Sequence, residues 1–230
     1  RSFIGYINVP YCHGMTVGEL ATYYNKEYKI GCDLQVVKME GWKREMSFAE
    51  TGLRWVPTSP NIPESDTPLF YASTGMLGEL GIVSIGIGYT LPFKVVGATW
   101  VNAEKYAELL NSQKLPGVDF MPFHYKPFFG SFKNSECHGV LIQVTNRLTY
   151  RPLDVQFALI GILKSLYPDK FRNALNKISK GHRELFCKAA GNSLLLEKLE
   201  KEKYLTWKLI GFQKEARKQF IEKRAKYLLY

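Results

Sequence analysis

Five carboxylates in the first 79 residues are candidates to act on a bound substrate, because they lie in polar or glycine-rich segments. They are Glu19, Glu40, Glu45, Asp66 and Glu79. Two carboxylates that flank a sugar bond are the usual apparatus of a glycosidase, one as the acid and one as the base or nucleophile. Glu19 is better explained as a helix cap, and Glu45 and Asp66 as solvated side chains.

Glu79 differs from the others because it is the single charged residue in the apolar, glycine-rich run from Leu69 to Leu91. Partial desolvation there would favour the protonated carboxyl group, which a general acid needs. We therefore predict Glu79 as the candidate catalytic residue. The alternative is an exposed turn between two strands.

Several nearby residues have side chains suited to binding a sugar. Trp42 and Tyr71 could stack on a sugar ring, and Arg44 and Asn61 could bond its carboxylate or hydroxyl groups. His13 stands beside a glycine just before a predicted helix, where it could be an oriented donor in a cleft. The alternatives are a core aromatic for Trp42 and a polar turn residue for His13.

Other kinds of site find little support in the sequence. The GIGYT segment at 86–90 lacks the Lys-Ser/Thr of a phosphate-binding loop. The four histidines show no metal-ligand spacing, no GxSxG nucleophile motif is present, and no two cysteines form a CxxC pair. We therefore predict no catalytic metal, and the sequence gives only a weak indication of a nucleotide site.

The chain carries a net charge of +10. The whole excess lies in residues 164–230, because acidic and basic residues cancel in residues 1–163. Such a region could bind an anionic polymer, but its basic residues alternate with apolar ones at helical spacing, as on a solvated helix face. We predict no nucleic-acid partner. No apolar run approaches the roughly 20 residues of a membrane span, so no integral membrane segment is predicted.

The first third of the chain reads as strand, helix and strand. Residues 1–10 and 34–39 are the predicted strands, and residues 16–28 the helix between them. Thr16 and Glu19 form a T-x-x-E capping box at its start. The two strands and the helix together predict one βαβ-like unit.

The proline-rich stretch at 51–68 predicts a loop and a domain boundary. The glycine-rich stretch at 73–93 could be a buried hairpin or a ligand-approach loop. A helix capped by Asn102 and strands near 118–123 and 139–145 follow.

The remainder reads as helical. A buried helix is predicted over 154–167, stopped by Pro168. Everything after it is predicted to be helical, with one long basic helix over 205–228.

Several of these segments resemble the NamZ-type exo-β-N-acetylmuramidases, a family formerly catalogued as a domain of unknown function. The resemblance covers essentially the whole chain, in the expected order. The matching strings are HGMTVGELA (13–21), VVKMEGWKRE (36–45), LRWVPTSPNIP (53–63), IGIGYTLPFKVVGATWV (85–101), LPGVDFMPFHYKPFF (115–129), CHGVLIQVTNRLTYRPL (137–153) and YLLY (227–230).

The resemblance implies an α/β chain: the end of a Rossmann-like domain, then a smaller α/β domain with a helical C-terminal region. The domains would be residues 1–66 and 67–230, the second ending in the basic helices. The family removes N-acetylmuramic acid from the non-reducing end of peptidoglycan fragments, so muramyl sugars are the implied partners, without a cofactor. Such substrates favour the cell envelope or periplasm, with cytoplasmic recycling as the alternative.

This chain also departs from the family pattern. The family's first domain is longer, so most of it, with the glutamate usually proposed as catalytic, would lie upstream of Arg1. Cys12 stands where an Arg is usual, and Tyr71-Ala72-Ser73 replaces the common YPG. Ile87 replaces the Arg of the GRGT segment, and Glu79 matches that stretch's Glu after a one-residue shift.

Two hypotheses follow from these observations. The first is a glycoside hydrolase of muramyl sugars, with Glu79 as its catalytic carboxylate and His13, Trp42, Arg44, Asn61 and Tyr71 as substrate-binding residues. The second is a non-catalytic module, derived from that fold, that binds glycan or protein. The enzyme needs a second carboxylate within about 5–10 Å of the first, whereas the module does not.

Overall fold

The computed structural model describes residues 5–230, which form two compact units of mixed α/β structure. Unit 1 consists of Arg1–Leu53 and Phe212–Tyr230, and unit 2 of Arg54–Gly211. Unit 1 is therefore built from both ends of the chain. The domain boundary at residue 66 stays a prediction.

The helices and strands have the following bounds. The helices are α1 Val17–Glu27, α2 Thr67–Glu79, α3 Ala103–Ser112, α4 Pro152–Leu166, α5 Pro168–Asn176, α6 Lys180–Ala190, α7 Leu194–Lys201, α8 Thr206–Ile210 and α9 Lys214–Arg224. The strands are β1 Val95–Ala98, β2 Val118–Tyr125 and β3 Cys137–Val144. Short 3-10 turns cover Ala49–Thr51 and Ala225–Tyr227. In the described part of the chain, no helix has the length and apolar character needed to cross a membrane.

Helix α1 begins as the sequence predicts. The Thr16 side chain accepts a hydrogen bond from the Glu19 amide at 3.3 Å, and Glu19 Oε2 accepts one from the Thr16 amide at 2.8 Å. The capping box is thus confirmed. The helix buries Tyr23, whose ring packs edge-on against Phe220 and Tyr227 in the small core of unit 1.

The predicted βαβ-like unit does not form in the described residues. Residues 1–4 of the first predicted strand lie outside the description, and residues 5–10 are irregular. The second prediction, a buried strand at 34–39, is wrong: the segment joins no sheet among the described residues, and Val37 is 94% exposed. An apolar, Val-rich run predicts a strand only where another strand can complete its backbone hydrogen bonds.

Unit 2 contains a three-stranded antiparallel sheet of order β1-β3-β2. Both predicted strands are confirmed as β2 and β3. Helix α3 is capped by Asn102, as predicted, and packs against the sheet. The Asn111 side chain accepts from the Phe120 amide and donates to the Phe120 carbonyl, both at 2.9 Å, which fixes the helix against β2.

The helical region after β3 follows the prediction with one exception. Helix α4 is largely buried and ends just before Pro168, and the described residues beyond it form helices joined by short connections. The single helix predicted over 205–228 is wrong. It is broken between α8 and α9, where Gln213 adopts a left-handed conformation with φ of 55°.

The glycine-rich stretch at 73–93 is not a hairpin. Its first residues complete α2, and the rest is a loop in which Gly86 and Gly88 have φ values of 82° and 87°. A side chain at Gly88 would overlap the carbonyl of Phe129, and one at Gly86 the carbonyl of Leu91. Only glycine fits both requirements, so the loop is held close to neighbouring backbone.

Candidate functional site

Arg44 lies at the centre of a polar cluster in unit 1. Its Nη1 donates to the Gly14 carbonyl at 2.8 Å, and its Nη2 donates to Glu19 Oε1 at 2.6 Å and to the Tyr230 backbone oxygen at 3.3 Å. One guanidinium therefore links the loop before α1, the helix itself and the last residue of the chain. Arg44, which the sequence predicts as a substrate-binding residue, therefore also has a structural role.

Glu19 is the carboxylate partner in this cluster, and its side chain is completely buried. Burial alone would raise the pKa of Glu19, but hydrogen bonds from Arg44, the Leu229 amide and the Thr16 amide outweigh it and lower the pKa to about 2. Glu19 is therefore ionised at neutral pH and cannot serve as a general acid.

Arg224 joins the same cluster from α9. Its Nη1 donates to the carbonyl of His13 and, at 2.9 Å, to that of Gly14. The Gly14 carbonyl thus accepts from both arginines. Gly14 has a φ of 60°, a left-handed conformation that favours glycine, and a side chain here would also displace the Arg224 guanidinium.

The environment of His13 determines its charge and tautomer. Burial, together with the positive charge of Arg224, lowers the pKa of His13 below its usual value of 6.5. The imidazole is therefore mainly neutral at pH 7. Because its Nδ1 accepts from the Met15 amide at 3.1 Å, the proton lies on Nε2, which can donate to a ligand.

Trp42 is half-buried beside this cluster. Its ring packs edge-on against Tyr230 at 5.0 Å between centroids, and the Arg44 guanidinium carbon lies 5.8 Å from its ring centroid. The Tyr230 hydroxyl accepts from the Met39 amide at 2.7 Å. The terminal YLLY segment is thus fixed to the Trp42 loop at both its backbone and its ring.

Unit 2 contains a separate pocket of about 290 Å³. Two predicted site residues, Tyr71 and Glu79, line it from helix α2 and its C-terminal end. Gly75, Gly78 and Gly81 also line it, three residues apart. Gly75 and Gly78 lie within α2 and Gly81 just beyond its end, and the missing side chain at Gly78 lets Ile85 pack closely against the helix.

Hydrogen bonding and ring packing orient the two residues. His182 Nδ1 donates to the Glu79 carbonyl at 3.0 Å, which ties the end of α2 to α6. The Tyr71 ring packs edge-on against Phe93, with centroids 4.9 Å apart, and remains 45% exposed. Tyr71 therefore presents an accessible and fixed aromatic surface, as a sugar-stacking residue requires.

Asn61 lies in the proline-rich loop of unit 2 and is not among the residues that line the pocket. Its amide donates to Ser59 Oγ at 3.2 Å, and the nearby Trp55 indole donates to the Pro63 carbonyl at 3.0 Å. These bonds fix the loop.

The pocket holds a single carboxylate. Glu79 is half-buried, and no other Asp or Glu is among the lining residues. Over the whole of residues 5–230, no three His, Cys, Asp or Glu side chains converge to form a metal site. The described pocket thus provides one acid or base, aromatic surface and polar groups.

Comparison with known proteins identifies the family. The family model described as "Exo-beta-N-acetylmuramidase NamZ, C-terminal" matches residues 69–230, and the model of the N-terminal part of the same family matches residues 1–66. The chain belongs to the NamZ family. Its two family segments meet between residues 66 and 69.

A curated NamZ relative is the peptidoglycan beta-N-acetylmuramidase of Bacillus subtilis strain 168. It is 38% identical over 229 residues, which is 100% of this chain and 53% of the relative. A crystal structure of a DUF1343 family protein from Bacteroides fragilis NCTC 9343 matches with a TM-score of 0.91 at 37% identity. That match covers 100% of this chain and 59% of the other. The chain thus spans little more than half the length of these relatives.

Five of the six predicted site residues of this NamZ member fall into two groups, and Asn61 belongs to neither. His13, Trp42 and Arg44 cluster in unit 1, whereas Tyr71 and Glu79 line the pocket of unit 2. Sequence reasoning missed Arg224 and His182, which contact these groups from distant helices. Both lie in helical segments where a polar residue usually means solvent exposure, so the sequence carried no local signal for them.

Proposed function

We propose that the chain contributes to an exo-β-N-acetylmuramidase, a glycoside hydrolase that releases N-acetylmuramic acid from the non-reducing end of peptidoglycan fragments. The observation that carries the proposal is the similarity to the B. subtilis peptidoglycan muramidase along the whole of this chain. The pocket of unit 2 and the arginine cluster of unit 1 each contain groups of a kind that suits such a substrate, and each is tested on its own.

Glu79 is the proposed acid of the reaction. Glu79 is the last residue of α2 and lies half-buried among apolar and glycine residues. From there it can face a glycosidic oxygen and donate a proton to it as the bond breaks. Water is the second substrate. The reaction also requires a second carboxylate, which the pocket lining does not contain, so that group has to come from elsewhere in the enzyme.

Arg44 and His13 are the proposed partners of the muramyl carboxylate in unit 1. The hydrogen bonds of Arg44 to Gly14, Glu19 and Tyr230 leave further guanidinium N–H groups for a ligand. About a quarter of the Arg44 side chain is exposed, so these groups are accessible. The neutral imidazole of His13 adds a donor at Nε2. Trp42 and Asn61 are two further residues that we propose contact the sugar.

The test measures chromophore release from a chromogenic β-N-acetylmuramide by the purified 230-residue chain. We expect Glu79→Gln to reduce turnover by at least a hundredfold, the usual scale for loss of a general acid. The matched control is Glu108→Gln, an exposed carboxylate on α3, which we expect to leave turnover unchanged.

Two outcomes would overturn parts of this proposal. Full activity of the Glu79→Gln chain would exclude Glu79 as the acid. A folded chain that binds the muramide but does not turn it over would show that catalysis requires groups outside these 230 residues, or that the chain is a glycan-binding module.

A further inference from the structure

Two histidines face each other across strands β2 and β3 on the surface of unit 2. In the register of the sheet His124 lies directly opposite His138, and side chains at such positions stand on the same side of a sheet. Their Nδ1 atoms are 2.8 Å apart, and the ring centroids are separated by 5.0 Å. Between two neutral rings this contact is a hydrogen bond, so one Nδ1 carries a proton and the other a lone pair.

Glu104 indicates which ring is the acceptor. It lies in the first turn of α3, and its Oε1 is 3.5 Å from Nε2 of His124. A hydrogen bond from its own backbone amide and the neighbouring His124 lower the pKa of Glu104 below 4.5, so the carboxylate is negative at neutral pH. A negative charge beside Nε2 favours a proton there and leaves the lone pair of His124 on Nδ1. His138 then donates its Nδ1–H.

The spacing of the two Nδ1 atoms is close to that of two ligands on one metal ion. With metal–nitrogen distances of about 2.0–2.1 Å, two imidazole nitrogens are about 2.9 Å apart at a right angle and about 3.4 Å apart at a tetrahedral angle. The observed 2.8 Å is close to the first value. Right angles between nitrogen ligands are typical of Cu²⁺ and Ni²⁺.

The rings are free to turn toward a shared ion. The side chain of His124 is 56% exposed, and His138 is partly exposed beside it. Their backbones are fixed by the pairing of β2 with β3, and α3 packs on both strands. A tilt of the two rings is therefore sufficient, and the strands do not have to move.

Glu104 also has the place of an outer-shell carboxylate. Histidines that bind a metal usually donate their other ring N–H to a carboxylate or a carbonyl, which fixes the tautomer and the ring orientation. Glu104 does this for His124 from the side opposite the Nδ1 pair. Its negative charge also offsets part of the charge of a bound cation.

We infer that His124 and His138 form a binding site for a divalent transition-metal ion such as Ni²⁺ or Cu²⁺, held by both Nδ1 atoms, with Glu104 as the carboxylate that orients His124. On binding, His138 releases its Nδ1 proton to water and takes a proton from water on Nε2, so both rings stay neutral. In residues 5–230 no third His, Cys, Asp or Glu completes the group, so water fills the other coordination positions.

The site is separate from the proposed glycosidase chemistry. None of its three residues lines the pocket that contains Glu79, and all three belong to unit 2. The inference therefore does not rest on the proposed function. Turnover of the chromogenic muramide tests that function alone, and metal binding tests this site alone.

The test is titration calorimetry of the untagged 230-residue chain with Ni²⁺ at neutral pH. Binding at the site is defined as the part lost in the double variant His124→Ala/His138→Ala. We expect each single variant to weaken this binding at least tenfold, because both nitrogens are needed. The matched control is His182→Ala, which removes a histidine from α6 and should leave the affinity unchanged. Mg²⁺, which prefers oxygen ligands, should not bind to the pair.

A second pair of variants tests the role of Glu104. Glu104→Gln should weaken Ni²⁺ binding about tenfold or more, the usual scale for loss of an outer-shell partner. Glu108→Gln removes an exposed carboxylate one turn further along α3 and should have no such effect. Equal effects of the two would show a general charge effect and would contradict the orienting role.

NMR of the unaltered chain makes the test independent of variant folding. A small amount of paramagnetic Cu²⁺ should broaden the imidazole signals of His124 and His138 before those of His13 and His182. Broadening of only one of the two, or calorimetric binding that only one of the single variants weakens, would leave a hydrogen-bonded pair and overturn the two-ligand site. Unchanged Ni²⁺ affinity in the double variant would overturn the inference altogether.

Discussion

Arg44 and Glu19 form an ion pair of 2.6 Å in which the carboxylate is fully buried while the guanidinium remains about a quarter exposed. The pair is unequal: Glu19 depends on Arg44 for its charge, whereas Arg44 retains contact with solvent. Removing the arginine would leave a buried carboxylate without its cation, which is a costly arrangement. A residue proposed to bind substrate is therefore also a residue on which unit 1 depends.

We expect Arg44→Ala to lower the free energy of unfolding by about 3–5 kcal/mol, the usual cost of breaking a buried pair. Combining it with Glu19→Gln should cost less than the sum of the two changes, by about 1–3 kcal/mol, because the residues are in contact. Urea unfolding followed by tryptophan fluorescence measures both quantities. The control is Arg172→Ala, whose exposed pair with Asp169 should contribute less than about 1 kcal/mol. Strict additivity would contradict the coupling described here.

The low pKa of Glu19 predicts a particular loss of stability in acid. Its folded pKa of about 2 lies below the ordinary value of 4.5, so the unfolded chain binds the proton more readily. The stabilisation is present above about pH 4.5 and is lost as the pH falls toward about 2. Thermal unfolding between pH 7 and pH 2 should show the unaltered chain losing more stability than Glu19→Gln. Parallel pH curves for the two would refute the assignment.

Gly88 provides a test of the loop that carries Ile87. Gly88→Ala combines a left-handed backbone with overlap on the Phe129 carbonyl, so we expect a loss of about 3 kcal/mol or more in stability. Gly191→Ala is the matched control, since Gly191 has φ of 75° but open space around it. That change should cost only about 1 kcal/mol. Denaturant unfolding of both variants separates overlap from backbone strain, and similar losses would argue against the close contact.

Tyr71 allows stacking to be separated from hydrogen bonding in the pocket. Tyr71→Ala removes the ring and should weaken sugar binding about tenfold, the scale of an aromatic contact. Tyr71→Phe keeps the ring and its packing on Phe93, so it should bind nearly as well as the unaltered chain. Titration calorimetry with methyl β-N-acetylmuramide gives both constants. Equal loss in the two variants would assign the effect to the hydroxyl group.

Local patterns predicted the elements whose stability is local. The Thr16–Glu19 capping box and the Asn102 cap are each determined by residues close in sequence, and β2 and β3 pair with each other across a short connection. The segment 34–39 shows the limit, since its apolar residues match a buried strand but its outcome depends on a partner strand. Gln213 shows a second limit of local patterns. Its left-handed conformation separates α8 from α9, although the sequence periodicity predicts one continuous helix.

The candidate site was predictable in its residue types but not in its grouping. Glycine, aromatic and charged residues in the loops indicated His13, Arg44 and Tyr71 as surface groups of interest. Contacts such as Arg224 with the His13 carbonyl join positions far apart in the chain, and no sequence spacing encodes them. The same holds for Arg44 and the Tyr230 backbone, which only the folded unit brings together.

Unit 1 is formed from two segments that are far apart in the chain, and this determines the order in which the two units can fold during synthesis. Residues 212–230 pack with residues from the beginning of the chain. Arg224 donates to the Gly14 carbonyl, the Leu229 amide donates to Glu19, and the Tyr230 backbone oxygen accepts from Arg44. Unit 2 has all its residues before these emerge from the ribosome, and domains generally fold as they are made. Unit 1 therefore completes its folding last. In a nascent chain halted before residue 212, Glu19 would still lack its hydrogen bond from the Leu229 amide.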